Sequence, residues 1–327
     1  MITPRIRTRR LAVASLLLVT MFGSGCSIKK LAINKIGDSL ASSGDTFASD
    51  DDPELIGSAV PFSLKLMESM LAGSPRHRGL LLAASSGFTQ YAYVYVGLPA
   101  DELETRDFGA AQSLRDRARK LYLRARDYGL RGLEIHHPGI SKELRSDARA
   151  AMVNIHSRTD VPLLYWTAAS WALAISISKD KPDLIAEQPM VEALMDRALE
   201  LDPDYDSGAI HGFLISYEPA RQGVKGDFAG RCRAHFERQV TLTNSELAAP
   251  FVSLAEAVSI QKQNREEFES LLKKALAIDP DSKPQWRLNN IIMQRRARWL
   301  LARESELFVA GESEQTKPVY AIALGQQ

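Results

Sequence analysis

Two ten-residue phrases in the chain, RALELDPDYD at 197–206 and KALAIDPDSK at 274–283, are near copies of one another. A catalytic loop has no use for an echo of itself, whereas a structural repeat does. Each phrase closes a stretch with the same apolar offsets. Val191, Leu194, Met195, Ala198 and Leu199 lead into the first, and Phe268, Leu271, Leu272, Ala275 and Leu276 into the second. Positions i, i+3, i+4, i+7 and i+8 share one face of an α-helix. Both helices are predicted to end at an Asp-Pro pair, because proline has no backbone N–H to continue the ladder. Asn264, three residues ahead of Glu267, is the predicted cap of the second helix.

Two weaker copies keep the same phase, FERQVTLTN at 236–244 and YGLRGLEIHHPG at 128–139. The spacing, allowing for one degenerate unit, is that of tetratricopeptide-type repeats, nominally about 34 residues with a helix pair in each. The partner helices fall at 74–96, 161–178 and 202–218, each with small and aromatic residues at helical spacing that allow close approach. YAYVYV at 91–96 alternates like a strand, but the apolar run begins back at Leu80 and is too long for one, so it is read as helix. The predicted fold is all-α, an α-solenoid of degenerate tetratricopeptide-like helix pairs over residues 53–310. Asp50–Asp52 before Pro53 reads as a helix start, since acids favour a helix N-terminus and proline fits its first turn.

The first 25 residues are an address. Arg5, Arg7, Arg9 and Arg10 precede the apolar run LAVASLLLVTMF at 11–22, and GSGC follows. That is the layout of a signal peptide, and the run is too short to span a bilayer. Cys26 resembles the modified cysteine of a bacterial lipoprotein, with Gly23 in place of the usual Leu three residues before it. Residues 1–25 are therefore expected to be the leader and 26–52 a lipidated start and tether. The site is the periplasm, with Ser27 favouring the outer membrane. Residues 311–327 form a C-terminal tail. Without the leader, 37 basic residues meet 40 acidic ones, so no nucleic-acid surface is implied.

Chemistry-bearing motifs are missing. HExxH, GxSxG and Walker loops do not occur, and GVKGDFAG at 223–230 reads as a loop before a helix. No metal or cofactor is expected, although His136–His137 is the best pair available. Cys232, the one remaining thiol, reads as a small buried apolar side chain. The residues left to face a ligand or partner are Tyr91 and Tyr93 on one predicted helix, Tyr165, Trp166 and Trp171 on another, and Tyr217 on a third. Trp286, Asn289 and Arg295 belong to a late helix that could cap the stack. Aromatic rings suit the wall of an apolar cavity, with a polar handle on Tyr and Trp.

Several long blocks, in order, carry a family resemblance: SPRHRGLLLAASSGFTQYAYVYV, YWTAASWALAIS, MDRALELDPDYDSGAIHGFLISYE, RCRAHFERQV, SLAEAVSIQKQNREEFESLLKKALAIDPD and WRLNNIIMQRRARWLL. The chain resembles the T-component of TRAP transporters, tetratricopeptide-type lipoproteins of tripartite ATP-independent periplasmic uptake systems. The resemblance implies a non-enzymatic, lipid-anchored adaptor. It would dock a TRAP-type periplasmic solute-binding protein and, through it, meet the membrane permease subunits. It would assist delivery of small acidic or apolar organic solutes in ion-gradient-driven uptake. A homotrimer is also implied, with a passage through each protomer as a ligand route. The alternative is a tetratricopeptide scaffold lipoprotein in outer-membrane or peptidoglycan assembly. A third reading, a helical cell-wall hydrolase, would rest on Glu269.

Overall fold

Caps and prolines set the helix boundaries. In the computed structural model, which describes residues 35, 37, 44–221, 223 and 226–309, helices α1 (Gly44–Ala48), α2 (Pro53–Gly73), α3 (Arg78–Ala92), α4 (Leu98–Leu103), α5 (Phe108–Leu133), α6 (Ile140–Ser146), α7 (Ala148–Met152), α8 (Val161–Ser176), α9 (Pro182–Ile185) and α10 (Gln188–Leu201) belong to a compact unit that ends at Asp206. A second unit starts at Ser207, within α11 (Tyr205–Tyr217). It contains α12 (Phe228–Leu242), α13 (Ala249–Leu254), α14 (Arg265–Ala277), α15 (Arg287–Ala302) and α16 (Glu304–Leu307). No strand occurs among the described residues. The leader, Cys26 and the tail over 311–327 lie outside them.

The echoed phrases are two helix ends of one kind. The first helix, α10, stops at Leu201, and the Asp202 N–H returns to the Ala198 carbonyl. The second, α14, stops at Ala277, ahead of Asp279–Pro280. The Asn264 carboxamide accepts from the Glu267 N–H at 3.1 Å, the predicted cap. The reciprocal half of that cap is absent, because Glu267 turns instead to Arg233 at 2.8 Å. At the other end of the chain Asp52 caps α2, accepting from Leu55 N–H at 2.9 Å with Pro53 in the first turn. Each such cap satisfies a backbone donor that the helix cannot.

The alternating YAYVYV is helical, with a twist that alternation disguises. α3 runs to Ala92 and continues as a π-helical turn over Tyr93–Gly97. A second π-helical turn, Ala255–Ser259, follows α13. Such turns insert one residue and re-aim the side chains beyond it. In the first, the Tyr95 hydroxyl donates to the Pro53 carbonyl at 2.9 Å, and its ring lies where a Cβ on Gly57 would be 2.7 Å away. In the second, Glu256 receives the Arg296 guanidinium at 2.7 Å.

Within the first unit the long helices pack in order: α2 on α3, α3 on α5, α5 on α8 and α8 on α10. Leu64, Met67 and Leu71 of α2 meet Leu80, Leu81, Ala84 and Phe88 of α3 and Ala125 of α5. Burying each Leu or Phe fully contributes about 1.5–3 kcal/mol. The α5–α8 approach is the closest-fitted. A Cβ on Gly129 would stand 2.1 Å from Thr167 Oγ1, and one on Gly132 2.5 Å from Leu163 Cδ2. In the second unit, Phe251, Val252, Phe268, Leu272, Met293 and Leu300 form the core. Buried amides then lock α15 in place. Asn290 accepts from the Ala248 N–H at 2.8 Å, and Gln294 donates to the Ile278 carbonyl at 2.6 Å.

An exposed glycine-to-alanine change in a helix gains about 0.8–1 kcal/mol. Gly129→Ala should do the reverse and lower unfolding stability by about 1–3 kcal/mol, because Thr167 cannot yield without opening α5 from α8. Urea unfolding of the variant checks this, and a midpoint equal to or above the parent's would contradict the fit described.

Candidate functional site

The predicted aromatic residues do not form one wall. They separate into groups with different surroundings. One group is on the first two turns of α8. Tyr165 and Trp166 meet edge to face at 5.0 Å between centroids, and Tyr205 closes on Tyr165 at 5.6 Å. The Trp166 indole N–H bonds to the Tyr205 hydroxyl, and all three rings are half-buried. Packing raises both phenols, Tyr205 to about 12, with the Asp206 carboxylate adding to the effect. Both therefore remain neutral donors at ordinary pH. Arg158, in the turn before α8, gives its Nε to the Leu201 carbonyl at 3.0 Å and stands 3.8 Å from Asp202. Three neutral rings with two hydroxyls can hold an apolar body and orient a polar end.

Tyr205 was not among the predicted residues, although it lies inside the echoed phrase. Its counterpart in the second copy is Ser282. That departure from the repeat was the signal that could have identified it.

Trp171 belongs to the core. It is 1 % exposed, its indole N–H donates to Glu187 at 2.7 Å, and the Arg126 guanidinium stacks 4.9 Å from its ring centroid. Tyr91 pairs with Tyr95 at 5.6 Å, and Arg117 donates to the Tyr91 hydroxyl at 3.2 Å. Tyr93 packs on Ala92, Val96, Ala118 and Tyr122.

The other predicted residues belong to the second unit. Tyr217 stacks on Phe213 at 5.2 Å. Trp286 is half-buried, and Asn289 and Arg295 point to solvent. Their sequence neighbours Asn290, Gln294 and Arg296 turn inward instead. Arg296 stacks on Trp299 at 4.2 Å and Arg303 covers the same ring at 4.5 Å.

A buried polar cluster also occupies the second unit. Glu218, 3 % exposed, pairs with Arg221 at 3.1 Å and with Arg231. His211 and His235 face each other through their Nδ1 atoms at 2.8 Å, so one donates and the other accepts. Burial, reinforced by His211, pushes the His235 imidazole down to about 4. Glu218 stands 4.0 Å from its Nε2.

His136 and His137 both reach Asp160, at 3.5 and 2.9 Å, and Arg78 reaches the same carboxylate at 2.7 Å. Among the described residues no group of three His, Cys, Asp or Glu side chains is placed to hold a metal. Glu269 is bonded to Lys273 at 2.6 Å, which holds its carboxyl below the usual range. A general acid needs the opposite shift.

Residues 49–308 match the family model described as TRAP transporter T-component. An uncharacterised protein of Treponema pallidum (strain Nichols) is 32% identical over 326 residues, covering 94% of this chain and 99% of the relative.

The two tryptophans of α8 should separate on truncation. Trp171→Ala should lose about 3–5 kcal/mol of stability, and Trp166→Ala less than about 2 kcal/mol. Thermal melts of both variants check this difference. The His235 shift makes a second test. An imidazole depressed to about 4 stays neutral in the fold while the unfolded chain protonates near 6.5. Stability should therefore fall from pH 6.5 to pH 4 by roughly 2–3 kcal/mol from this residue and level off below. His235→Gln should flatten that part of the urea-stability profile. An unchanged slope would show that His235 titrates normally.

Proposed function

The chain belongs to the TRAP transporter T-component family, and from that membership we propose that it is the adaptor which docks a TRAP-type solute-binding protein and assists ligand transfer during uptake. The family assignment suggests a transport role without catalysis of its own. The observation that carries the finer reading is the Tyr165–Trp166–Tyr205 group. Its three rings are half-buried and apolar, and its two hydroxyls stay protonated. That chemistry suits a small organic solute with an apolar body and a group that hydrogen-bonds to a phenol.

The reading also places the chain in the periplasm, held through a lipid on Cys26, with the outer membrane as the anchoring side. A trimer of such chains would present three aromatic groups to its partners. The permease subunits are then reached indirectly, through the solute-binding protein.

The test is co-purification. The chain is used as bait in extracts of its source cells, with the retained proteins identified by mass spectrometry. A TRAP-type solute-binding protein should be recovered, and purified partner should bind with at least tenfold lower affinity to Trp166→Ala or Tyr205→Ala, which is about 1.4 kcal/mol of interface energy. Recovery of cell-wall or barrel-assembly proteins in its place would overturn the proposal.

A further inference from the structure

Helix α2 has two unlike sides. Ile56, Leu64, Met67 and Leu71 are buried within the first unit. On the opposite side Leu55, Phe62 and Leu66 are 57%, 72% and 39% exposed. Their spacing places them along one stripe of the helix. Of six large apolar side chains exposed among the described residues, these three share one face, so the exposure is concentrated and not scattered. Ser58, Ala59 and Ser63 fill the stripe, and no charge interrupts it between Leu55 and Lys65. A solvent-facing helix side normally carries charge, and a contiguous apolar strip marks a docking face.

Towards α5 the border of this strip is basic, while Asp51, Asp52 and Glu54 stand exposed at its N-terminal end. Lys65, with its side chain 70% exposed, bonds to Glu68. Glu68 also accepts from the Tyr128 hydroxyl at 2.8 Å and lies 3.6 Å from Arg124, so α5 continues the surface beside α2. There Arg117, Lys120, Arg124 and Arg131 are all exposed at helical spacing. The acids among them are already engaged, Glu68 as above and Asp127 by Arg126 at 3.0 Å. Lys120, Leu123, Arg124, Asp127, Tyr128 and Arg131 line a shallow open depression of about 420 Å³.

We infer that this face rests on an anionic lipid bilayer. The outer side of α2 enters the boundary between headgroups and acyl chains, and the α5 cations sit among the phosphates. An apolar strip edged by Lys and Arg is the composition of an interfacial helix. Spanning is a different matter. α2 is long and apolar enough by length and composition to cross a membrane, but its inner side carries core contacts that a span would forfeit. An isologous dimer through this face is disfavoured, because it would set the same cations against one another, and a heterologous contact as in a trimer is separated from lipid by the sedimentation below. The inference takes the nearby bilayer from the anchored reading above, but not the lipid itself.

The experiment therefore uses the full chain carrying Cys26→Ser, which cannot be acylated. An environment-sensitive fluorophore is attached at Phe62→Cys or, as a control, at Val153→Cys, which is exposed elsewhere in the first unit. Native Cys232 is buried and does not compete for the label. On phosphatidylglycerol vesicles the probe at 62 should shift to the blue and be quenched by bilayer-embedded nitroxide lipid, while the probe at 153 stays in water. Each basic residue near an anionic surface contributes about fivefold in partitioning. Lys120→Glu with Arg124→Glu should thus weaken vesicle binding at least tenfold, and phosphatidylcholine vesicles should hold the chain poorly. The inference is overturned if the probe at 62 stays water-like on vesicle-bound chain. It is equally overturned if a second copy or a solute-binding protein shields the probe without lipid, as sedimentation would show. Mass spectrometry of the parent chain from membranes reports acylation of Cys26 separately, so the anchored reading and this face fail independently.

Discussion

A buried carboxylate decides the geometry of the first unit. Asp160 stands at the entry to α8 with almost no solvent contact, and Arg78, His137 and His136 converge on it from the start of α3 and the end of α5. An isolated buried charge costs several kcal/mol, so the carboxylate is stable only with these partners in place. Arg78 adds a bond to the Thr159 carbonyl at 2.7 Å, which fixes its direction as well as its charge. Three helix ends are thereby held at one point. A turn or two further into α5, Gly129 and Gly132 set its distance from α8. Pairing at the end and contact along the flank define register and separation together. Tyr165 and Trp166 follow Asp160 by little more than one turn, so the aromatic group inherits its placement from that carboxylate.

The helices were legible because periodicity and caps are local. The offsets around 191–199 and 268–276, the Asp-Pro stops, and the caps Asp52 and Asn264 all require only residues close in sequence. The π-helical turn at Tyr93–Gly97 was not legible, since one inserted residue alters the aim of side chains without altering composition. The site was half legible. Tyr165 and Trp166 do meet, but Tyr205 joins them from another helix, and no spacing rule predicts that contact. Trp171 looks the same as Trp166 in sequence. Its polar and stacking partners, Glu187 just before α10 and Arg126 on α5, come from elements distant in sequence. In α15 the difference between Asn289 and Asn290 is a single residue of rotation, which decides between solvent and a buried bond to Ala248.

The structure distributes its polar chemistry unevenly. Charges inside the fold are matched, as in Glu218 with Arg221 and Arg231 or Arg296 with Glu256. The half-open aromatic rings carry hydroxyls that stay protonated, and the catalytic constellations sought in the sequence have no counterpart in the geometry around Glu269.

Cys232 is fully buried beside Ala229, Phe251 and Leu272, and burial pushes its thiol up to about 11. A sulfur that does not ionise is a poor nucleophile toward disulfides and peroxides. Residues 207–327 hold no second cysteine, so no disulfide can form within the second unit. It can mature without an oxidase or isomerase, and it will report the same structure whether it is prepared under reducing or oxidising conditions.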